Sequence, residues 1–366
     1  MRRPSLRLGL LAIVVVALAA ACGGGGGGGG SPAASTPPNP LYVAPNGQDA
    51  NLGDIDHPLA TLNRAAQITP NGYTIIVAPG TYHEAVTTER RGSVEARSLS
   101  IIADVTGTST QRAAGPVVID ATGTGAAAAF AVSNSAGTEV DGFTVLGGAK
   151  YGILVTSDAN DVQIRNCVVH DNADDGIHVQ DSSNVVIFNN LVYNNQGSGV
   201  AIVGQSLGSQ GAHLINNTLY NNQFRGITVG TSTKASQNAF ARNNIVQNSG
   251  DPTIRVLTPP PPSVPRSDIG YDADFNLVLP ANYEPTTIAG RHDVKSDALF
   301  VNAGAGDFHL RAGSPAINAG DSLIGMQELA NALRGRTTTG GNDCDKSAID
   351  IGYHYRIASS CTAAVP

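Results

Sequence analysis

The chain has no tryptophan and only two methionines, and aromatic residues fill 5% of its 366 positions. Its core must therefore be aliphatic. Charged residues are also scarce, at 14%, and they lean acidic: 22 Lys and Arg stand against 29 Asp and Glu. Three of the basic residues, Arg2, Arg3 and Arg7, sit at the very N-terminus, so the rest of the chain is more acidic than the formal net charge of −7. That balance argues against nucleic acid as a partner. Four cysteines are too few for a Cys-only metal site. No Ser-His-Asp, nucleotide-binding or zinc signature occurs in its expected context. The 43 glycines disfavour long helices. The apolar run from Leu8 to Ala21 is 14 residues long, short of the roughly 20 needed to cross a bilayer.

What is present is a repeat. Val140 to Val145, Ile164 to Val169, Ile187 to Val192, Leu214 to Leu219 and Ala241 to Val246 each set a polar residue, usually Asn, among apolar ones. Asn166, Asn189, Asn216 and Asn243 recur at steps of 23, 27 and 27 residues. Gly152, Gly176, Gly199 and Gly226 form a second column, each ahead of a short alternating run such as Ile177-His178-Val179. Alternation is strand periodicity, and no unit has room for a helix. Strand-turn units of fixed period predict an all-β fold, a parallel β-helix whose coils touch only their neighbours. Ile153, Val155, Ile177, Val179, Val200, Ile202, Ile227 and Val229 are expected inside. The Asn column is expected to form an internal ladder that satisfies buried turn groups.

The N-terminus reads as a signal peptide over residues 1–21, basic at its start and apolar through its middle. Leu18-Ala19-Ala20-Ala21-Cys22 resembles the lipobox of bacterial lipoproteins, with the Leu one position further from the Cys than usual. That resemblance implies lipidation of Cys22, a membrane attachment through it, and an outer-membrane location facing periplasm or cell surface. Ordinary cleavage after Ala21 with secretion is the alternative. Residues 22–40, rich in Gly, Ser and Pro, read as a flexible tether. The β-helix is expected over 41–255, a Pro-rich loop with irregular strands over 256–297, and a C-terminal segment over 298–366 that closes the far end. Cys167 reads as a small core hydrophobe. Cys344 and Cys361 could form a disulfide in an oxidising compartment. A monomer is expected.

Leu41 to Gly47 reads as a strand ending Pro-Asn-Gly. His57-Pro58 opens a short helix with Leu59, Leu62 and Ala66 on one face, placed to cap the core. Thr74 to Tyr82 ends Pro-Gly-Thr-Tyr. These features resemble the N-terminal segment of right-handed parallel β-helix proteins of the pectin-lyase-like superfamily. The C-terminal runs Gly306 to Leu310, Gly313 to Gly320 and Asp350 to Tyr353 resemble the bacterial "choice-of-anchor" subgroup. The resemblance implies right-handed coiling and an extended polysaccharide as ligand along one sheet face.

The strand that opens with the Gly column is the expected site. Its outward and edge positions include Lys150, Tyr151, Asp174, Asp175, His178, Gln180, Arg225 and Thr228. Two chemistries compete there. β-Elimination of a uronan needs a base and a cation to neutralise the sugar carboxylate. Lys150 or Arg225 would be that base, beside Asp175 and His178; Tyr151, Gln180 and Thr228 would bind substrate. Asp171, Asp174 and Asp175 would hold Ca²⁺ through hard oxygen ligands. Hydrolysis needs two separated carboxylates. Asn172 to His178 resembles the catalytic strand of polygalacturonase-type hydrolases, but only Asp175 and Gly176 match in register. A third reading is a non-catalytic glycan-binding or adhesin-like surface protein, in which Asp and Asn before Gly are turn residues.

Overall fold

The computed structural model describes residues 37–89, 98–204, 208–231, 236, 238–257, 270–323, 326–333, 335–340 and 348–356. Cys22, Cys344 and Cys361 lie outside the described residues. The chain winds through three parallel sheets in turn. Sheet 1 has nine strands, from Leu41–Val43 to Tyr271–Asp274. Sheet 2 has eight, from Val86–Thr87 to Tyr283–Glu284. Sheet 3 also has eight, from Gly80–Tyr82 to Leu277–Leu279. One coil shows the pattern: Gln163–Arg165 in sheet 1, Val168–His170 in sheet 3, then Ile177–Gln180 in sheet 2. The fold is the expected parallel β-helix. Its sheets continue to Glu284, so the coils outrun the expected boundary at residue 255.

The core is aliphatic. Ile153, Val155, Ile177, Val179, Val200, Ile202, Ile227 and Val229 are all sealed from solvent, as the alternation requires. Cys167 is buried among them, and burial pushes its thiol up to about 12.

The asparagine ladder sits one residue away from its expected column. Asn166, Asn189, Asn216 and Asn243 adopt positive φ, between 54 and 58°, a conformation that Asn tolerates better than most side chains. That conformation turns the backbone and points these side chains outward. The internal ladder is the next position: Asn190, Asn217, Asn244 and Asn276, the last three each accepting from the backbone N–H and Nδ2 of the rung before it and Asn190 from Cys167 N. A second internal ladder, Asn172, Asn195 and Asn222, lines the turn between sheets 3 and 2.

The N-terminal end is plugged by a helix at Leu62–Ile68. It starts later than the sequence suggests. Thr61 caps it by accepting from Arg64 N, while Leu59 is drawn into a bridge with Val43 instead. Glu84 accepts from Leu62 N and Asn63 N, a carboxylate placed where the first turn needs acceptors. At the other end Tyr283 and Ile288 close the core, with Asp293 accepting from Tyr283 Oη and Gly290 N.

The C-terminal segment, expected to close that end, lies along the flank instead. Phe300, Phe308, Leu310 and Ile351 pack on Leu191, Ile245 and Leu277 of sheet 3. Leu323, Ala330 and Leu333, the last two from a helix at Gln327–Leu333, pack on Phe188 and Ile215 of sheet 1. The outward asparagines hold it: Asn189 exchanges two hydrogen bonds with the His354 backbone, Asn216 donates to Asp350 O, and Asn243 exchanges two with Asp321.

Candidate functional site

Neither of those flank clusters includes a residue of sheet 2, so its outer face is the one on which polar side chains collect. Two outward columns carry them. Leu154, His178, Ala201, Thr228, Arg255 and Glu284 are paired rung to rung along the middle of the sheet. At the leading edge Ser198 pairs with Arg225, and Asp175 occupies the same column one coil earlier, hydrogen-bonded through its backbone to Gly152 N. Just ahead, in the turn, backbone hydrogen bonds link Lys150, Asp174, Gly197 and Phe224 in a row. Successive rungs are about 4.8 Å apart.

The centre of the site is a His–Asp pair. Asp175 Oδ2 lies 2.7 Å from His178 Nδ1, and its Oδ1 accepts from Ser198 N at 2.6 Å. Both carboxylate oxygens are thus engaged, and the contact to Nδ1 holds the imidazole in one orientation. Nε2 has no protein partner among the described residues. The Tyr151 ring stacks on His178 with centroids 4.1 Å apart, leaving His178 8% exposed. Thr228 Oγ1 bonds Ser198 Oγ at 3.0 Å, bracing the next two rungs. Asp174 is half-buried and its carboxylate makes no hydrogen bond among the described residues; burial, then the charge of Asp175, holds its carboxyl above the ordinary range. Burial and the same two carboxylates raise the Tyr151 phenol.

Arg225 is the anomaly. It is 6% exposed, its Nε is sealed and unpartnered, and no carboxylate lies within ion-pair reach among the described residues. Its guanidinium rests 3.7 Å from the centroid of the Phe224 ring. Burial and the neighbouring Arg255 lower its affinity for the proton, while Arg255 itself pairs with Glu284. A desolvated cation without a counter-ion is costly unless something completes it.

The structure therefore gathers Tyr151, Asp174, Asp175, His178, Arg225 and Thr228 on one face, with exposed Lys150 at its edge. Gln180 sits at the far end of the Ile177–Gln180 strand, away from the pair. Asp171 leaves the group altogether: it turns at positive φ and binds His170 Nδ1 at 2.7 Å. With Asp171 elsewhere and both Asp175 oxygens taken, the donors do not suit Ca²⁺, which takes six to eight oxygens. Among the described residues no cluster of three His, Cys, Asp or Glu side chains could hold a metal. The two carboxylates also converge on one point: a Cβ at Gly197 would lie 2.4 Å from Asp174 Oδ1 and 2.6 Å from Asp175 Oδ1. They do not face each other across a cleft as the acid and base of a glycoside hydrolase do. Sequence reasoning missed Phe224 and Gly197. The available signal was register, since both lie in the row of Lys150 and Asp174.

Residues 41–229 match the profile of the family described as "Pel9A-like, right handed beta helix region". Over 53 residues the chain is 40% identical to the uncharacterized protein YwoF of Bacillus subtilis (strain 168), a match spanning 14% of this chain and 11% of that relative's length. Among solved structures, pectate lyase Pel9A aligns at 17% identity and a TM-score of 0.38, covering 88% of this chain and 98% of its own. An alginate lyase from Paenibacillus sp. str. FPU-7 aligns at 17% identity and a TM-score of 0.37, covering 61% and 70%. At those values neither alignment bears on chemistry.

Proposed function

The chain belongs to the Pel9A-like right-handed β-helix family, and from that premise we propose that it binds an extended acidic polysaccharide across sheet 2 and cleaves it by β-elimination. The observation that carries the reading is Arg225, a buried guanidinium with no ion pair among the described residues, two rungs along the same face from a His–Asp pair whose outer nitrogen is free. A uronate carboxylate supplies the missing counter-ion. Neutralised in that way, it lowers the barrier to removing the proton on the adjacent carbon. Arginine stays protonated and Lys150 is exposed, so the base is His178 through Nε2, with Asp175 fixing the tautomer. The electron pair of the broken C–H bond forms a carbon–carbon double bond. The glycosidic C–O bond breaks, and its oxygen takes a proton from Lys150.

The same reading takes Cys22 as the lipidated N-terminus of an outer-membrane-anchored monomer; loss of labelled palmitate on Cys22→Ser tests it. The activity is tested by incubating the protein with pectate, alginate and other uronans and following the absorbance of the unsaturated product. A polymer that binds but is never cleaved overturns the catalytic reading in favour of a glycan-binding surface protein. One observation favours that second reading: the Tyr151 ring covers much of His178.

A further inference from the structure

Phe224 is 53% exposed in a chain with few aromatic residues. It stands in the same turn row as Asp174, one rung beyond Gly197. Gly197 carries no side chain, and a Cβ there would meet Asp174 and Asp175. Phe224 and Asp174 therefore flank the Gly197 rung, about 10 Å apart along the axis, with the Asp174 and Asp175 carboxylates resting against the glycine between them. The ring is already covered in part by Arg225, whose guanidinium rests on it. An apolar face, an unbonded carboxylate acceptor and an unpaired cation converge within two rungs. A pyranose ring has matching parts: a C–H face, hydroxyl donors, and in a uronate a carboxylate.

We propose that Phe224, Asp174 and Arg225 form a subsite for two consecutive residues of a polyuronate, one ring lying over Gly197 with its C–H face on Phe224 and its hydroxyls on Asp174, the carboxylate of the next residue held by Arg225. The assignment rests on the reading of sheet 2 as a polysaccharide face and names its ligand: an unesterified hexuronate rather than a neutral glycan. Arg225 lies against Phe224, so the aromatic ring does two things. It stacks the sugar and keeps the guanidinium extended and desolvated.

The test is calorimetric titration of the whole protein with polygalacturonate, alginate and fully methyl-esterified polygalacturonate, for the native chain and for Phe224→Ala and Phe224→Trp. The native chain binds an unesterified polymer and binds the ester at least roughly tenfold more weakly, the loss of one charge-assisted contact. Phe224→Ala weakens binding of the unesterified polymer by about tenfold, the scale of one stacking contact, and Phe224→Trp restores it. Native-level binding by Phe224→Ala overturns the subsite and leaves the broader reading standing. Equal affinity for the ester overturns the role of Arg225. No binding of either unesterified polymer by the native chain overturns the reading of the face itself.

Discussion

Replacing Asn217 by alanine should be among the most damaging single changes in the solenoid. Its side chain is fully buried and makes four hydrogen bonds: Oδ1 accepts from Asn190 N and Asn190 Nδ2, and Nδ2 donates to Ile187 O and Asn244 Oδ1. Two partners survive the loss with another bond, since Asn190 Nδ2 keeps Ile164 O and Asn244 Oδ1 keeps Asn217 N. Asn190 N–H is left with no acceptor. An orphaned buried N–H costs about 1–3 kcal/mol, and each further lost bond about 1 kcal/mol. Asn217→Ala should therefore destabilise the fold by about 4–6 kcal/mol, a large share of a typical domain's stability. The control is Asn194→Gly. Asn194 lies in an outer column at φ 54° and accepts one exposed bond from Asn221. Glycine adopts that φ freely, so this change should cost under about 0.5 kcal/mol. Urea unfolding of the two variants measures the difference, and amide exchange at Asn190 localises it. If Asn217→Ala loses no more stability than Asn194→Gly, the ladder is not what holds these turns.

Asp175→Asn keeps an acceptor for Ser198 N but turns an amide N–H toward His178 Nδ1, which forces the ring proton onto Nε2. Turnover of a cleaved uronan should fall by about 100-fold or more with polymer binding retained; unchanged turnover would remove His178 as the base. Asp174 holds its proton more tightly folded than unfolded, so its ionised form opposes folding above the carboxylate range and the penalty fades as pH falls through it. Asp174→Asn should thus melt higher than the native chain at neutral pH, with the two converging in acid; a gap independent of pH would contradict this. Dialysis against a chelator should leave uronan binding and turnover unchanged, because the Asp171, Asp174 and Asp175 side chains do not assemble a Ca²⁺ site; recovery of lost activity on adding Ca²⁺ alone would refute that.

The inward positions were legible because period-two alternation and burial coincide at residues such as Ile177 and Val179. The ladder was legible as a period but not as a column. Asn189-Asn190, Asn216-Asn217 and Asn243-Asn244 are adjacent pairs, and composition does not say which member takes positive φ. The clues were Phe143 and Cys167, apolar at the inner position, and Gly142 and Phe275, which take the positive-φ one. The docking of the C-terminal segment was illegible because it runs through side-chain amides to residues 165 and 134 positions away, with no strand pattern to announce it. At the site, the grouping of Asp174, Asp175 and His178 followed from register. The contact of Arg225 with Phe224 did not, since whether a cation finds a carboxylate or a ring depends on packing.

A stack of identical coils has no intrinsic length, because any coil can be followed by another. The flank segment supplies one. His354 is fastened to Asn189, Asp350 to Asn216 and Asp321 to Asn243, three consecutive coils in order. A coil inserted between any two of them would move one anchor a full rung and leave its asparagine facing the wrong residue. The segment therefore acts as a gauge of coil number over that span, and through it fixes the two rungs that sheet 2 presents there, Ser198–Val203 and Arg225–Val229.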